Sequence, residues 1–404
     1  MSMPIDNKSL CSVLIVLIVM VSLCSVIIVH ETTGESKNDV QGEYNILARV
    51  NTEGSGIYIK DDVLSTRGGA SAFYNTSTYE ITDANKAAWG GLVVGTPGAA
   101  TIQHVQMQQI AESAGLIFTL YQDGMVTDSD HMYYVATMSN ASIVTGYTGQ
   151  LDAGILWEPQ YSKIINSSGF SQLVLTNDLF PGHTCCNIVG VKDYINSHAD
   201  VTERVLAAYV KAAQYVQYAV NHVGSDEYNQ LVSIAQDVVG TSIDVPTIKD
   251  ALSRITYAYV DGDGTLNGLK SDVANLADSL ISMGLLRHDL SDLGFHYSSQ
   301  FANAFVDEGY LMHAIERFDA ADPTLAGANA IVTIAVIAGD IHQIAIHVAN
   351  ALGYFEENHI TVSISAATNG PGVAVAVQNG TAQFGVLGAP PATSTAINGM
   401  LVHA

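Results

Sequence analysis

Two hydrophobic rhythms succeed each other along the chain. Residues 44–50 (YNILARV) and 57–63 (IYIKDDV) are short strand-like runs separated by the loop NTEGSG. GLVVGT (91–96) is a Val-rich run of the kind that forms a strand buried on both faces. It passes through Pro97-Gly98 into the helix pattern IQHVQMQQIAESAGL, and strand, glycine loop and helix make half of a βαβ unit. The theme returns in IVTGYTGQLDAGILWEP as a short helix, Gly149 and the strand DAGILW; SQLVLTND and CCNIVGV are further short strands.

From Asp200 the period lengthens. Asp200 and Glu203 stand in capping-box spacing ahead of the amphipathic helix VTERVLAAYVKAAQYVQYAVN. Two more helices are predicted, one from near Asp244 and Pro246 and one over 268–283, and the helical region closes near Phe318. DAADPTLAGAN (319–329) has the composition of a linker. The α/β rhythm then restarts: strand AIVTIAVIAG, helix DIHQIAIHVANALGYF, strand ITVSISAAT, a helix over 371–379, strand FGVLG, and a helix from PPATSTAING. Three strands with their helices are too little for a lobe that stands alone.

Residues 12–29 carry no charge, near the lower limit for a membrane-spanning helix. Lys8 precedes this run and Glu31, Glu35 and Asp39 follow it, which directs the rest of the chain outward. Residues 1–30 are therefore expected to be a membrane anchor or a cleaved signal peptide, with export in either case. Leu23 occupies the place where lipidation of Cys24 would need a small residue. Residues 31–42 read as a polar linker, and no comparable apolar run recurs after residue 30.

Composition narrows the classes further. Nearly half of the 404 residues are apolar and 13% are charged, a globular balance. The formal net charge is −24, and no Lys/Arg cluster offsets it, so nucleic acid is excluded as a partner. Cys11 and Cys24 lie in or beside the apolar segment and Cys185 and Cys186 are adjacent, so no long-range disulfide framework is expected. The adjacent pair forms a strained ring or stays as small buried thiols. Sequons at Asn75, Asn140, Asn166 and Asn379 are permitted by export and carry little weight.

The last segment, GYFEENHITVSISAATNGPGVAVAVQNGTAQFGVLGAPPATSTAING, resembles the opening of periplasmic solute-binding proteins of ABC importers, the group that takes nitrate, sulfonates, taurine and thiamine-pyrimidine precursors. Earlier stretches (GSGIYIKDD, VGTPGAATIQH, QLDAGILWEPQ, PGHTCCNIVG, FVDEGYLMHAIERF) resemble the remainder of the same family. The order is inverted, since what opens the family closes this chain. A circular permutant follows, with 319–329 joining the ancestral ends, which compact domains tolerate because their termini lie close together. A fragment of a tandem array, or a misplaced gene boundary, would give the same order.

The resemblance implies an α/β, two-lobed periplasmic-binding-protein-like (type II) fold with a helical extension of lobe one. Residues 43–60 would be a crossover strand of lobe one, 61–187 lobe two, 188–318 the helical part of lobe one, and 330–404 its α/β part. The implied partners are a small-molecule solute and an ABC permease, with the membrane reached through the N-terminal segment; a monomer without cofactor is expected.

Cleft chemistry follows from where strands end and helices begin, because a helix N-terminus offers unpaired N–H groups and partial positive charge. Three loops have this form: Thr96-Pro97-Gly98 with Thr101; Asn369-Gly370-Pro371; and Ala389-Pro390, after Gly388 and before Thr393. Ser55 and Gly56 sit at the crossover. Trp157 ends a strand, where it stacks on a ligand or packs, and Glu158 would accept from an amine or brace a hinge. Asp340, His342 and Gln343 follow the first strand of the closing segment, and His183 precedes the two thiols. No Arg and few Lys fall in these loops, so a neutral or zwitterionic solute fits at least as well as an anion.

An enzyme of the thiamine-pyrimidine synthase type is the alternative, since PGHTCCNI loosely resembles that enzyme's cysteine- and histidine-rich motif. An exported chain with two cysteines there argues against it. His183, Cys185 and Cys186 are cramped for a metal trio, and DGDGT (261–265) lacks the closing Glu of a calcium loop.

Overall fold

A computed structural model of the chain describes residues 43–99, 101–136, 150–262, 264–266, 268–319 and 326–399. The expected N-terminal anchor, the short helix ahead of Gly149 and most of the 319–329 linker lie outside the described residues. Among those described, no helix is long and apolar enough to cross a membrane.

Two six-stranded sheets form the frame. The first has the order β11-β10-β12-β8-β1-β9, with β1 Tyr44–Glu53, β8 Thr184–Val191, β9 Ile255–Tyr257, β10 Ala330–Ile337, β11 Ile360–Ala367 and β12 Phe384–Gly388. The second has the order β4-β5-β3-β6-β2-β7, with β2 Ser55–Lys60, β3 Val93–Thr96, β4 Ile117–Leu120, β5 His131–Ala136, β6 Ala153–Trp157 and β7 Phe170–Leu175. In each sheet a parallel block gives way to antiparallel strands: β10 is parallel to β11 and β12, and β3 to β5 and β6, while β1, β2 and β8 run antiparallel to their neighbours.

The segment at the end of the chain is built into the same sheet as the segment at its start. β12 pairs with β8 from Phe384↔Gly190 to Gly388↔Cys186, and β8 pairs in turn with β1. The Tyr44 hydroxyl donates to the Ala392 carbonyl at 2.6 Å, tying β1 to the last described helix. Every residue of β1 is buried, as expected of a strand paired on both edges and covered on both faces.

Helices cover lobe one. α1 (Ile102–Ser113) belongs to lobe two; the others used here are α2 (Ala199–Asn221), α3 (Asp226–Val239), α4 (Val245–Arg254), α5 (Gly268–Ser282), α6 (Gly370–Gln378) and α7 (Ala389–Gly399). α2 and α3 pack with Leu47, Val50, Ile188 and Val336 in one apolar layer; α5, α6 and α7 pack with Tyr44, Ile46 and Val189 in the other. Asp244 caps α4 through the Thr247 N–H, with Pro246 in the first turn.

Three local expectations differ from the structure. The capping box at Asp200 does not form: α2 begins at Ala199 with no side-chain cap, Asp200 pairs with Arg204, and Glu203 meets His313. The 43–60 stretch divides at Gly54, since Ser55–Lys60 pairs with β6 and β7 of the second sheet. The return crossing falls before Thr184, because Thr184–Val191 is one continuous strand of the first sheet.

The lobes touch through an apolar latch. Val105 and Ile102 of α1 pack with Leu276 and Leu280 of α5 and with Ala389, and Leu280 is wholly buried.

Candidate functional site

Gly54 is the hinge between β1 and β2. Its φ of +88° suits glycine, and a Cβ there would come within 2.3 Å of His342 Nε2. Its carbonyl accepts from the Glu158 N–H at 3.0 Å and from His342 Nε2 at 3.0 Å. One carbonyl thus receives a donor from each lobe. The other ring nitrogen of His342, Nδ1, lies 2.8 Å from Asp340 Oδ1. A backbone carbonyl and a carboxylate only accept, so both nitrogens carry protons and the ring is an imidazolium. Burial alone would lower its pKa; Asp340, Cys185 and Glu158 outweigh that and hold it at about 9.

In front of this hinge lies a cavity of about 230 Å³ lined by both lobes. Lobe two supplies Pro97, Gly98 and Thr101 from the loop after β3, Ile102 and Gln103 from the first turn of α1, and half-buried Trp157 from the end of β6. Lobe one supplies Asn369, Gly370 and Pro371 at the start of α6, and Gly388, Pro390 and Pro391 at the start of α7. Asp340, His342, Ile337, Cys185 and Cys186 also line it. All three Gly/Pro loops singled out from the sequence therefore meet at one place.

The caps are built as their sequences suggest. Thr101 caps α1, its side chain accepting from the His104 N–H, and Asn369 caps α6 by accepting from the Gly372 N–H at 2.9 Å. The prolines change what the helix ends offer. Pro371, Pro390 and Pro391 have no N–H, so three first-turn positions of α6 and α7 cannot donate to a ligand. Among the described residues no Lys or Arg lines the cavity, and the one cation there, His342, is neutralised by Asp340. The site is apolar, with a few polar groups at its edge.

Seven of the residues expected at the cleft do not line this cavity. Ser55 accepts from Gln103 Nε2 at 2.8 Å, so it positions Gln103. Gly56 lies under the Tyr161 ring, where a Cβ would fall within 2.2 Å of Cζ. Thr96 turns its hydroxyl to His104 Nδ1 at 2.9 Å, inside lobe two. Glu158 is wholly buried, and its carboxylate accepts from the Ser162 N–H and hydroxyl with Arg254 at 3.5 Å. Burial raises its pKa. Its carboxylate is thus taken up by Ser162 and Arg254. Gln343 accepts from the Ile337 N–H at 2.9 Å, holding the loop that carries Asp340. His183 and Ala389 line a neighbouring cavity.

Gln103, Ile337 and both thiols were not singled out as site residues. Gln103 was legible as a first-turn residue of a helix that opens on the cleft. Cys185 and Cys186 are free, with sulfurs 3.9 Å apart, and the hydrogen bond between them holds the Cys185 thiol below its usual range. Among the described residues no group of three or more His, Cys, Asp or Glu side chains could hold a metal ion. Asp261 of the DGDGT stretch instead anchors Arg49 at 2.6 Å.

Comparison with known proteins gives three findings. Among curated proteins none matches the chain. Solved structures with partial likeness include the periplasmic nitrate-binding protein NrtA from Synechocystis PCC 6803, at 14% identity over 70% of this chain and 71% of that one, with a TM-score of 0.49. The periplasmic aliphatic sulphonate binding protein SsuA from Escherichia coli has 14% identity over 60% of this chain and 66% of its own, with a TM-score of 0.38. Residues 341–403, which bring Asn369, Gly370, Pro371 and Pro390 to the cavity, match the family described as NMT1/THI5 like.

Proposed function

We propose that this chain is an extracytoplasmic solute-binding protein, which closes two α/β lobes over one small solute and presents the closed form to an ABC-type importer. The observation that carries this reading is the meeting of three helix-opening loops, from both lobes, around one cavity in front of a glycine hinge. Two lobes joined at such a hinge close by rotation. The sequence resemblance and the match over 341–403 support the same reading.

The solute is compact and neutral or zwitterionic. Proline-capped helix ends, an apolar wall and the absence of lysine and arginine among the described lining residues disfavour a bare anion. Trp157 offers a flat face for stacking. Binding is favoured over catalysis because, among the described residues of the lining, Asp340 and His342 are engaged with each other and with Gly54, and the two thiols with each other. The chain is tethered or exported by residues 1–30 and acts as a monomer. We read its order as a circular permutation, supported by β12 completing the sheet that contains β1 and β8.

A thermal-shift screen of the full-length chain against taurine, alkanesulfonates, nitrate, bicarbonate and aminopyrimidines tests this reading. A folded-state ligand at about a hundred times its Kd stabilises by about 2.7 kcal/mol, a rise of several degrees. The largest rise is expected with a neutral or zwitterionic compound. A cooperative transition unmoved by every compound would count against it.

A further inference from the structure

A second interlobe cavity, about 260 Å³, lies beside the latch and shares Ile102 with the first. Its walls come from α1, from the return crossing at 180–184, and from α5. Gln106 of α1 lines it. This side chain is 1% exposed, yet among the described residues nothing bonds to its Oε1 or its Nε2. Gln103, one turn earlier, shows the ordinary arrangement by donating to Ser55. An unbonded buried amide costs about 1–3 kcal/mol.

His183 lines the same cavity. Its Nδ1 donates to the Phe180 carbonyl at 2.7 Å, which leaves Nε2 as an acceptor in the neutral ring. Nε2 is buried and has no partner among the described residues. Burial lowers the pKa of this ring, in keeping with its neutral form. Asp272, also in the wall, is engaged by Arg49 and Thr184.

We infer that this cavity is a second binding site, for a small neutral molecule bearing an amide or urea group, held by Gln106 and His183. The Gln106 amide presents almost no surface in this arrangement; once it turns into the cavity, an amide N–H meets its Oε1 and the amide carbonyl takes its Nε2–H, with His183 Nε2 as a further acceptor. An anion would face two lone pairs and the Asp272 carboxylate. A cation would leave the Gln106 donor unmet, and a hydrocarbon would leave all three groups unmet. Because both lobes form the walls, an occupant favours the closed arrangement, and by linkage tightens binding in the first cavity.

Saturation-transfer NMR on the full-length chain tests this with acetamide, using acetone as a probe of similar shape that only accepts. Acetamide is expected to give a signal at least fivefold above acetone. Gln106→Leu should abolish it, whereas Trp157→Ala, at the first cavity, should leave it intact. Gln106→Leu should also keep or raise Tm, since it removes a buried amide without a partner. Equal acetamide signals from wild type and Gln106→Leu would overturn the inference. So would equal signals from the two probes, or no acetamide signal from a cooperatively folded chain, which would mean that water alone occupies the cavity. All comparisons are repeated in the Trp157→Ala background, which weakens any acetamide binding in the first cavity, so that failure of this inference and failure of the proposed function are distinguishable.

Discussion

At the hinge, one carbonyl receives donors from both lobes, and much of the closed geometry depends on it. Gly54→Ala would place a methyl against His342 at a positive φ, so a loss of about 2 kcal/mol in unfolding stability is expected by chemical denaturation. His342 adds a pH dependence. Its folded pKa of about 9 lies above its ordinary value of 6.5, so its stabilisation is full below pH 6.5 and disappears as pH rises through 9. The gap corresponds to roughly 3 kcal/mol. The difference in Tm between wild type and His342→Asn should therefore be largest near pH 6 and shrink by pH 10; a constant difference would show that the ring is not charged. The loop residues of the cavity were legible in the sequence because Gly, Pro and Asn at a strand-to-helix junction have a local meaning. Ser55 was not, because its role is set by Gln103 of another element; Glu158 and His183 bond to near neighbours, Ser162 and Phe180, but which way that turns them is set by the meeting of the lobes.

At the scale of elements, the long strands and helices follow their hydrophobic period. The short ones do not. β9 pairs along the edge that β1 offers; its Ile, Thr and Tyr favour a strand, but three residues are too few to show a period. The Asp200 and Glu203 pair carries a capping signature, but a buried Arg204 claims Asp200 through an ion pair and leaves the helix start without a side-chain cap. The latch between α1 and α5 was equally invisible, since Val105 and Leu280 are ordinary apolar positions until the lobes meet. Val105→Asp would bury a charge against Leu276 and Leu280, so the closed form should give way to an open one. Small-angle scattering should then show a larger radius of gyration with the unfolding transition still cooperative; an unchanged radius would mean that the latch does not hold the lobes.

For the whole molecule, the decisive feature is where the last 70 or so residues go. Their strands β10, β11 and β12 form one half of the first sheet, with β11 at its edge and β12 against β8. The strand pattern made a restart after residue 329 plain, and the motif order suggested a permuted chain. That the two parts share one sheet is a fact of pairing that one-dimensional periodicity does not contain. A chain rebuilt with 330–404 placed ahead of 43–319 should fold with a Tm within a few degrees of the natural order. Failure to fold would contradict the permutation.

The central claim is that a solute is enclosed in front of the hinge, and tryptophan fluorescence tests it most directly. The chain has two tryptophans: Trp89, wholly buried within lobe two, and Trp157, at the cavity. Titrating the full-length chain with the best compound of the thermal screen should give a saturable change that vanishes in Trp157→Phe, where Trp89 alone reports. A change of the same size in Trp157→Phe, or no saturable change in wild type, would contradict the account.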